Sequence, residues 1–185
     1  MIHMREPTDG EGRDAGVGVR EMKPADVDAV MELERRIFST PWTADVFRYE
    51  LRRKRSAIYL VAEAGGRMLG YLGAAQMGAE VHVANIAVEP GQRRHGVGSA
   101  LLLECIARGT ARGTRWLALE VRETNDGARE FYRRFGFNEL GLRIGYYVDT
   151  GEHALAMATG DICSDDYQQL LRTIEDGLAR RKAEG

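Results

Sequence analysis

The stretch from Val81 to Arg122 constrains the fold most, because its hydrophobic pattern changes period twice. Apolar residues fall on odd positions at Val81 and Val83, then on even positions at Ile86 and Val88, with Asn85 at the slip. A strand repeats its faces every two residues, so a one-residue slip predicts a β-bulge. After Glu89-Pro90 comes a loop, Gln92-Arg93-Arg94-His95-Gly96-Val97-Gly98-Ser99, and then a helix over 98–109 with Leu101, Leu102, Cys105 and Ile106 on one face. A second strand, Trp116 to Arg122, follows. The loop therefore joins the end of a bulged strand to the start of a helix.

The flanking segments complete an α/β pattern. Residues 17–22 read as a short strand, and Pro24 suits the first position of a helix carrying Val27, Val30, Met31, Leu33 and Ile37 at helical spacing. Thr43 is placed to cap a second helix with Val46, Phe47 and Leu51 on its apolar side. Strands over 58–64 and 68–75 flank Gly65-Gly66, a hairpin signal. Asn125 or Asp126 caps a short helix that Gly136 stops, and strands over 137–148 and 154–158 finish the sheet. Beyond residue 161, Leu170, Ile174 and Leu178 stand four apart, predicting an amphipathic C-terminal helix over 161–185 that packs on its own domain or on a partner. Residues 1–16 lack apolar periodicity and read as a disordered lead-in, which leaves 17–160 as the folded domain.

Composition narrows the function classes. A chain of 185 residues with 44% hydrophobic content supports one core. Its 26 basic and 28 acidic side chains give a formal charge of -2, so the bulk balance offers nothing to nucleic acid or an anionic membrane. Two cysteines, Cys105 and Cys163, make no disulfide framework and point to a reducing, cytoplasmic setting. No apolar run reaches membrane-spanning length. The four histidines and two cysteines lack metal-ligand spacing, so no metal is implied. Oligomeric state is left open.

The loop is where chemistry enters. Free backbone N–H groups and the helix dipole converge there on any bound anion, and Gly96 and Gly98 permit close approach. No Gly-Lys-Ser/Thr follows, as a nucleoside-triphosphate loop requires, and the third glycine of a dinucleotide fingerprint is missing. What remains is Arg-x-x-Gly-x-Gly. Taken with Asn85-Ile86-Ala87-Val88-Glu89-Pro90, Leu119-Glu120-Val121-Arg122, Asn125 and Phe131-Tyr132-Arg133-Arg134-Phe135-Gly136-Phe137, it resembles the successive motifs of the GNAT acetyltransferase superfamily over residues 17–158. Phe38-Ser39-Thr40-Pro41-Trp42-Thr43 and Tyr146-Tyr147 resemble its RimI-like branch, the ribosomal-protein-alanine N-acetyltransferases. The resemblance departs at His153, where an acidic residue is common, and in the helical tail.

This resemblance implies a GNAT fold: a mixed, mostly antiparallel sheet of six to seven strands with a splayed central pair, about four flanking helices, and here a C-terminal helix. It implies acetyl-coenzyme A as co-substrate, with Arg93, Arg94, Gly96, Val97, Gly98 and Ser99 at the pyrophosphate and the backbone of Ile86, Ala87 and Val88 along the pantetheine arm. Asn125 and Tyr132 join the cofactor side. Glu120 is implied as general base, its plainer reading being a carboxylate paired with Arg122 or Arg143, and Tyr132 as the acid that protonates the departing thiolate. Trp42, Tyr146 and Tyr147 would wall the slot for a protein N-terminus, that of a ribosomal protein. Glu80 and His82 flank the bulged strand on the substrate side, and His82 reads as an ordinary strand residue. Two competing functions are lysine or small-amine acetylation on the same scaffold, and a non-catalytic acyl-coenzyme A sensor.

Overall fold

The computed structural model describes residues 16–53 and 55–184, so the expected lead-in lies, but for Gly16, outside the described residues. In chain order the elements are β1 (Gly18–Glu21), α1 (Val27–Ile37), α2 (Ala44–Arg52), β2 (Ala57–Ala64), β3 (Arg67–Met77), β4 (Glu80–Val88), α3 (Val97–Ala111), β5 (Trp116–Arg122), α4 (Asp126–Arg134), β6 (Phe137–Tyr147), β7 (Glu152–Thr159) and α5 (Asp165–Glu184). Pro24–Asp26 and Pro90–Gln92 form single 3₁₀ turns before α1 and α3. The seven strands make one sheet in the order β1-β2-β3-β4-β5-β7-β6. All neighbours are antiparallel except β4 and β5. This is the expected GNAT fold.

Local chemistry explains the boundaries. Thr43 Oγ1 accepts from the Val46 N–H at 3.4 Å to open α2, and Asn125 Oδ1 accepts from the Ala128 N–H at 3.1 Å to open α4. A cap of this kind is worth about 1 kcal/mol. Gly65 and Gly66 have φ of +55° and +73°, the left-handed pair that a two-residue hairpin turn needs. The apolar side expected for α2 is narrower than its sequence implied: Phe47 is buried but Val46 is exposed.

Two cores sandwich the sheet. On one face α1 and α2 bury Val30, Leu33 and Phe47 against Tyr59, Val61 and Tyr71. On the other, α3 sets Leu101, Leu102, Cys105 and Ile106 against Val81, Val83, Leu117 and Leu119. The second core continues into α5, where Tyr167 and Leu171 are buried, Leu170 and Ile174 pack alongside, and the Tyr167 hydroxyl donates to the Phe135 carbonyl at 2.9 Å. The tail's apolar stripe thus covers its own domain. Leu171→Ala should cost about 2–5 kcal/mol, the usual range for a truncated core leucine, read as a lower unfolding midpoint at unchanged denaturant slope. An unchanged midpoint would mean that α5 is only loosely seated.

One buried carboxylate belongs to the first core. Glu34, fully buried on α1, accepts from the Trp42 N–H at 2.7 Å and from the Tyr71 hydroxyl, which in turn accepts from Asn85 Nδ2 at 3.2 Å. The chain of bonds ties the segment after α1 to the bulged part of β4.

Candidate active site

The bulge predicted from the slipped alternation is present. Gly73 pairs with Asn85 while the next residue, Ala74, pairs with Val83, so Ala84 is the extra residue. Before it, Val81 and Val83 face α3; after it, Ile86 and Val88 do, and Ala87 turns to the opposite core. The parallel pairing of β4 with β5 runs only from Glu80↔Trp116 to Val83↔Leu119. Beyond that point β4 pairs with β3 alone and β5 with β7 alone. The facing edges of Ala84–Val88 and Glu120–Arg122 therefore diverge, and their backbone groups have no sheet partner across the gap. A slender amide-bearing arm can bond to such an edge as an added strand does.

The glycine loop opens at the end of this gap. Gly96 starts α3 in the left-handed region, at φ +85°, and no side chain caps the helix, unlike α2 and α4. Its first amides, those of Val97, Gly98 and Ser99, thus remain for an anion. Arg93 and Arg94 are both exposed beside them, and Arg94, at φ +67°, is the one non-glycine residue with positive φ among the described residues. That strained position suits a loop shaped around a ligand. The residues present therefore fit the pyrophosphate and pantetheine of coenzyme A: free amides and two guanidinium groups for charge, and an unpaired strand edge for the arm.

Glu120 sits on the other side of the sheet from α3. In β5, Leu117, Leu119 and Val121 point into the α3 core, so Ala118, Glu120 and Arg122 take the opposite face. The Glu120 side chain is only 7% exposed, because both oxygens are covered. Oε2 lies 2.9 Å from His82 Nε2, and Oε1 lies 3.0 Å from Arg143 Nη2. His82 is itself 3.8 Å from Glu80 Oε1 through Nδ1, while Glu80 Oε2 accepts from Trp116 Nε1 at 3.1 Å. Of the two arginines expected as partners, Arg143 pairs with Glu120 and Arg122 does not.

Tyr132 approaches from the α3 side. Its ring packs on Phe131 and Phe137, with centroids 5.2 and 5.5 Å away, and borders the α3 core. Burial, with Tyr147 adding a smaller effect, raises its pKa above the ordinary tyrosine value, so the hydroxyl keeps its proton. Glu120 thus lies on the face of β5 away from α3, while the Tyr132 ring borders the α3 core.

On the Glu120 side, Tyr147 lies under the Arg122 guanidinium, 4.0 Å from its centroid, and stacks edge-on with Tyr146 at 5.2 Å. Arg122 also holds Glu152 and, at 3.3 Å, Asp149. Asp149 accepts in turn from Thr40 Oγ1 at 2.7 Å and Ser39 Oγ at 3.0 Å, a clasp between the α1–α2 segment and the β6–β7 turn. The Thr40 and Ser39 hydroxyls, with Arg122 helping, lower its carboxyl to about 2, so Asp149 is charged at neutral pH. Trp42 follows two residues after Thr40, but its ring packs on Phe47 at 5.6 Å and makes no ring contact with Tyr146 or Tyr147 among the described residues.

A model of the Acetyltransferase (GNAT) family matches residues 27–137, which span both the gap and the loop. The chain belongs to the GNAT family. Among curated relatives of this GNAT enzyme, a putative [ribosomal protein bS18]-alanine N-acetyltransferase of Bacillus subtilis is 38% identical over 75% of the chain and 92% of the relative. The N-alpha-acetyltransferase RimI of Mycobacterium tuberculosis is 35% identical over 76% of the chain and 90% of the relative. Among solved structures, the ribosomal-protein-alanine N-acetyltransferase of Escherichia coli superposes with a TM-score of 0.72 at 29% identity, covering 80% of this chain and 97% of that one. The protein is accordingly an acetyl-coenzyme A-dependent N-acetyltransferase.

Several site residues of the GNAT enzyme escaped the sequence. His82 read as an ordinary strand residue, yet the parallel register sets it beside Ala118, one inward-outward repeat from Glu120. Asp149 gave no signal, and Ser39 and Thr40 stood out only as part of the RimI-like segment 38–43, since nothing in a sequence announces a clasp between residues some 110 positions apart. The two loop glycines also differ. A Cβ on Gly96 would stand 2.8 Å from Leu178 Cδ2 of α5, so substitution there strains the fold as well as the ligand site. At Gly98 the nearest atoms, Val88 Cγ2 and Phe131 Cζ, are 3.6 and 3.7 Å away, an ordinary contact. Gly98→Val is therefore the cleaner probe: acetyl-coenzyme A affinity should fall about tenfold or more in calorimetry, the worth of one hydrogen bond to a charged group, with the unfolding midpoint little changed. Full affinity in Gly98→Val would remove the loop from the cofactor site.

Proposed function

We propose that this enzyme transfers the acetyl group of acetyl-coenzyme A to the α-amino group at a protein N-terminus, with an alanine-initiated ribosomal protein as substrate, in the cytoplasm. The observation that carries the reading is the carboxylate of Glu120, almost sealed from water beside the splayed strands, together with Tyr132, which borders the α3 core and whose hydroxyl burial keeps protonated. The activities named for its relatives point the same way.

In this reading Arg93, Arg94 and the amides of Val97, Gly98 and Ser99 hold the pyrophosphate, and the free edge of Ile86, Ala87 and Val88 aligns the pantetheine arm. Asn125 both caps α4 and borders that arm, since its amide nitrogen is not used by the cap. Holding thioester and amine together replaces a bimolecular encounter by reaction within one complex. Glu120, directly or through a water, takes a proton from the ammonium; the freed lone pair attacks the acetyl carbonyl and a C–N bond forms. An unpaired β4 amide stabilises the oxyanion. As the tetrahedral intermediate collapses and the C–S bond breaks, Tyr132 gives its proton to the sulfur. The second proton shed by the new amide nitrogen passes through solvent to restore the Tyr132 hydroxyl, while Glu120 returns its own proton to solvent. Tyr146, Tyr147 and Trp42 line the acceptor side, Trp42 held in place by its packing on Phe47 and its backbone bond to Glu34. An α-amine of pKa about 8 needs less help than a lysine of about 10.4, which a single carboxylate with both oxygens already engaged is suited to give.

Steady-state rates on an alanine-initiated peptide and on its N-blocked, lysine-containing twin test the acceptor. Turnover confined to the free N-terminus is expected. Preference for the blocked twin would move the acceptor to lysine, and cofactor binding without turnover of either would leave only a sensor.

A further inference from the structure

A carboxylate withdrawn from water needs a cationic or hydrogen-bonding partner at all times, because an unpaired buried charge is strongly destabilising. Glu120 has two, and they are held very differently. His82 rises from β4 beside β5, is 29% exposed, and is backed by Glu80, itself anchored to Trp116. Arg143 reaches over from β6 with 57% of its side chain in water, and among the described residues its guanidinium's other contact is with the Tyr146 ring, 5.8 Å from its guanidinium carbon. The strand that carries it loses register between Arg143 and Tyr147, where the Gly145 N–H bonds to His153 Nδ1 instead of to β7 backbone. Arg122, the other cation on this face, is committed to Asp149 and Glu152.

From this asymmetry we infer that Arg143 is a resident cation occupying, in the free enzyme, the place on Glu120 that the acceptor's ammonium takes during turnover. The inference rests on the proposed acceptor chemistry. Both groups are cations with N–H donors, and Oε1 accommodates one of them. Arg143 swings into solvent when the acceptor arrives, while His82 keeps its grip on Oε2 and holds the carboxylate's orientation. Glu120 takes the ammonium's proton during the reaction and gives it up to solvent afterwards; the neutral amide product cannot balance the carboxylate so restored, and Arg143 returns. Glu120 is paired throughout, and the enzyme selects a cationic acceptor because only a cation displaces a cation. Arg143 is in this sense a specificity-determining residue that competes with substrate.

Competition gives a signature that structural damage does not. An ion pair with one partner half in water is worth a factor of about two to five, so Arg143→Gln should lower KM for the acceptor by that factor while KM for acetyl-coenzyme A stays put. Arg143→Lys restores a cation and should bring the acceptor KM back toward the wild-type value. The measurement uses both the alanine-initiated peptide and its N-blocked lysine twin at saturating acetyl-coenzyme A. Whichever peptide the wild type acetylates reports on the acceptor; the direction of the KM change reports on Arg143. An acceptor KM that is unchanged or raised in Arg143→Gln overturns the inference even if α-amine acetylation holds, and a wild type that acetylates neither peptide overturns both.

Discussion

Glu120→Gln is expected to lower turnover by about 10²- to 10⁴-fold at neutral pH, the usual span for a positioned general base. The change keeps the side chain's size and removes its basicity. It also replaces one acceptor oxygen by an amide donor facing His82 or Arg143, both donors, so some loss of orientation adds to the loss of the base. The two effects separate with pH. An α-amine with pKa about 8 deprotonates itself at alkaline pH, so the variant's rate should climb toward wild type as pH rises past that value, whereas misorientation would leave a deficit at every pH. Affinity for acetyl-coenzyme A should barely move, because none of the contacts proposed for the cofactor uses the Glu120 side chain. A flat, neutral-like rate in Glu120→Gln would mean that the substrate amine sheds its proton without this carboxylate.

Tyr132→Phe should reduce turnover by about 10²-fold, toward the lower end of the general-acid range, since a thiol of pKa about 8.5 is a fair leaving group even unassisted. It should show no alkaline rescue, because raising pH supplies no proton to the departing sulfur. The wild-type profile carries a related expectation. Burial and Tyr147 hold the Tyr132 pKa above its ordinary value of 10.0, so the acid remains protonated and the rate should not decline up to about pH 10 on its account. A decline of kcat with an apparent pKa near 9 that vanishes in Tyr132→Phe would show that the hydroxyl ionises more readily than its surroundings imply. The two variants responding identically to pH would reverse or dissolve the base and acid assignments.

The sheet, its bulge and the order of elements were legible because each rests on local periodicity. The slipped alternation at Val81–Val88 located the bulge to within a residue, since a two-residue repeat cannot shift phase any other way. Thr43 and Asn125 marked helix starts through the hydroxyl and amide oxygens that their caps require. What escaped depends on which strands lie side by side. Glu120 looked like a carboxylate in an apolar strand with Arg122 or Arg143 as partner; alternation puts it on the face opposite Leu119 and Val121, where Arg143, one of the two expected, is joined by His82, which was not expected there. His82 lies 38 positions earlier and becomes a partner only once β4 and β5 are known to run parallel in the observed register (120 − 82 = 38). Val46 was expected to be buried on spacing alone, yet α2 meets the sheet through Phe47. The tail's stripe was readable, but not its contact with Gly96, which makes α5 a neighbour of the glycine loop before α3.

The central claim is that an α-amine, taken at Glu120, accepts the acetyl group. It is tested most directly on one peptide that carries both an N-terminal alanine with a free amine and an internal lysine, incubated with acetyl-coenzyme A and wild-type enzyme and then fragmented in a tandem mass spectrometer. The account predicts an acetyl mass on every N-terminal fragment, including the first, with the lysine unmodified, and loss of that signal in Glu120→Gln at neutral pH. Acetyl found on the lysine with a free N-terminus, or N-terminal acetylation undiminished in Glu120→Gln, would contradict it.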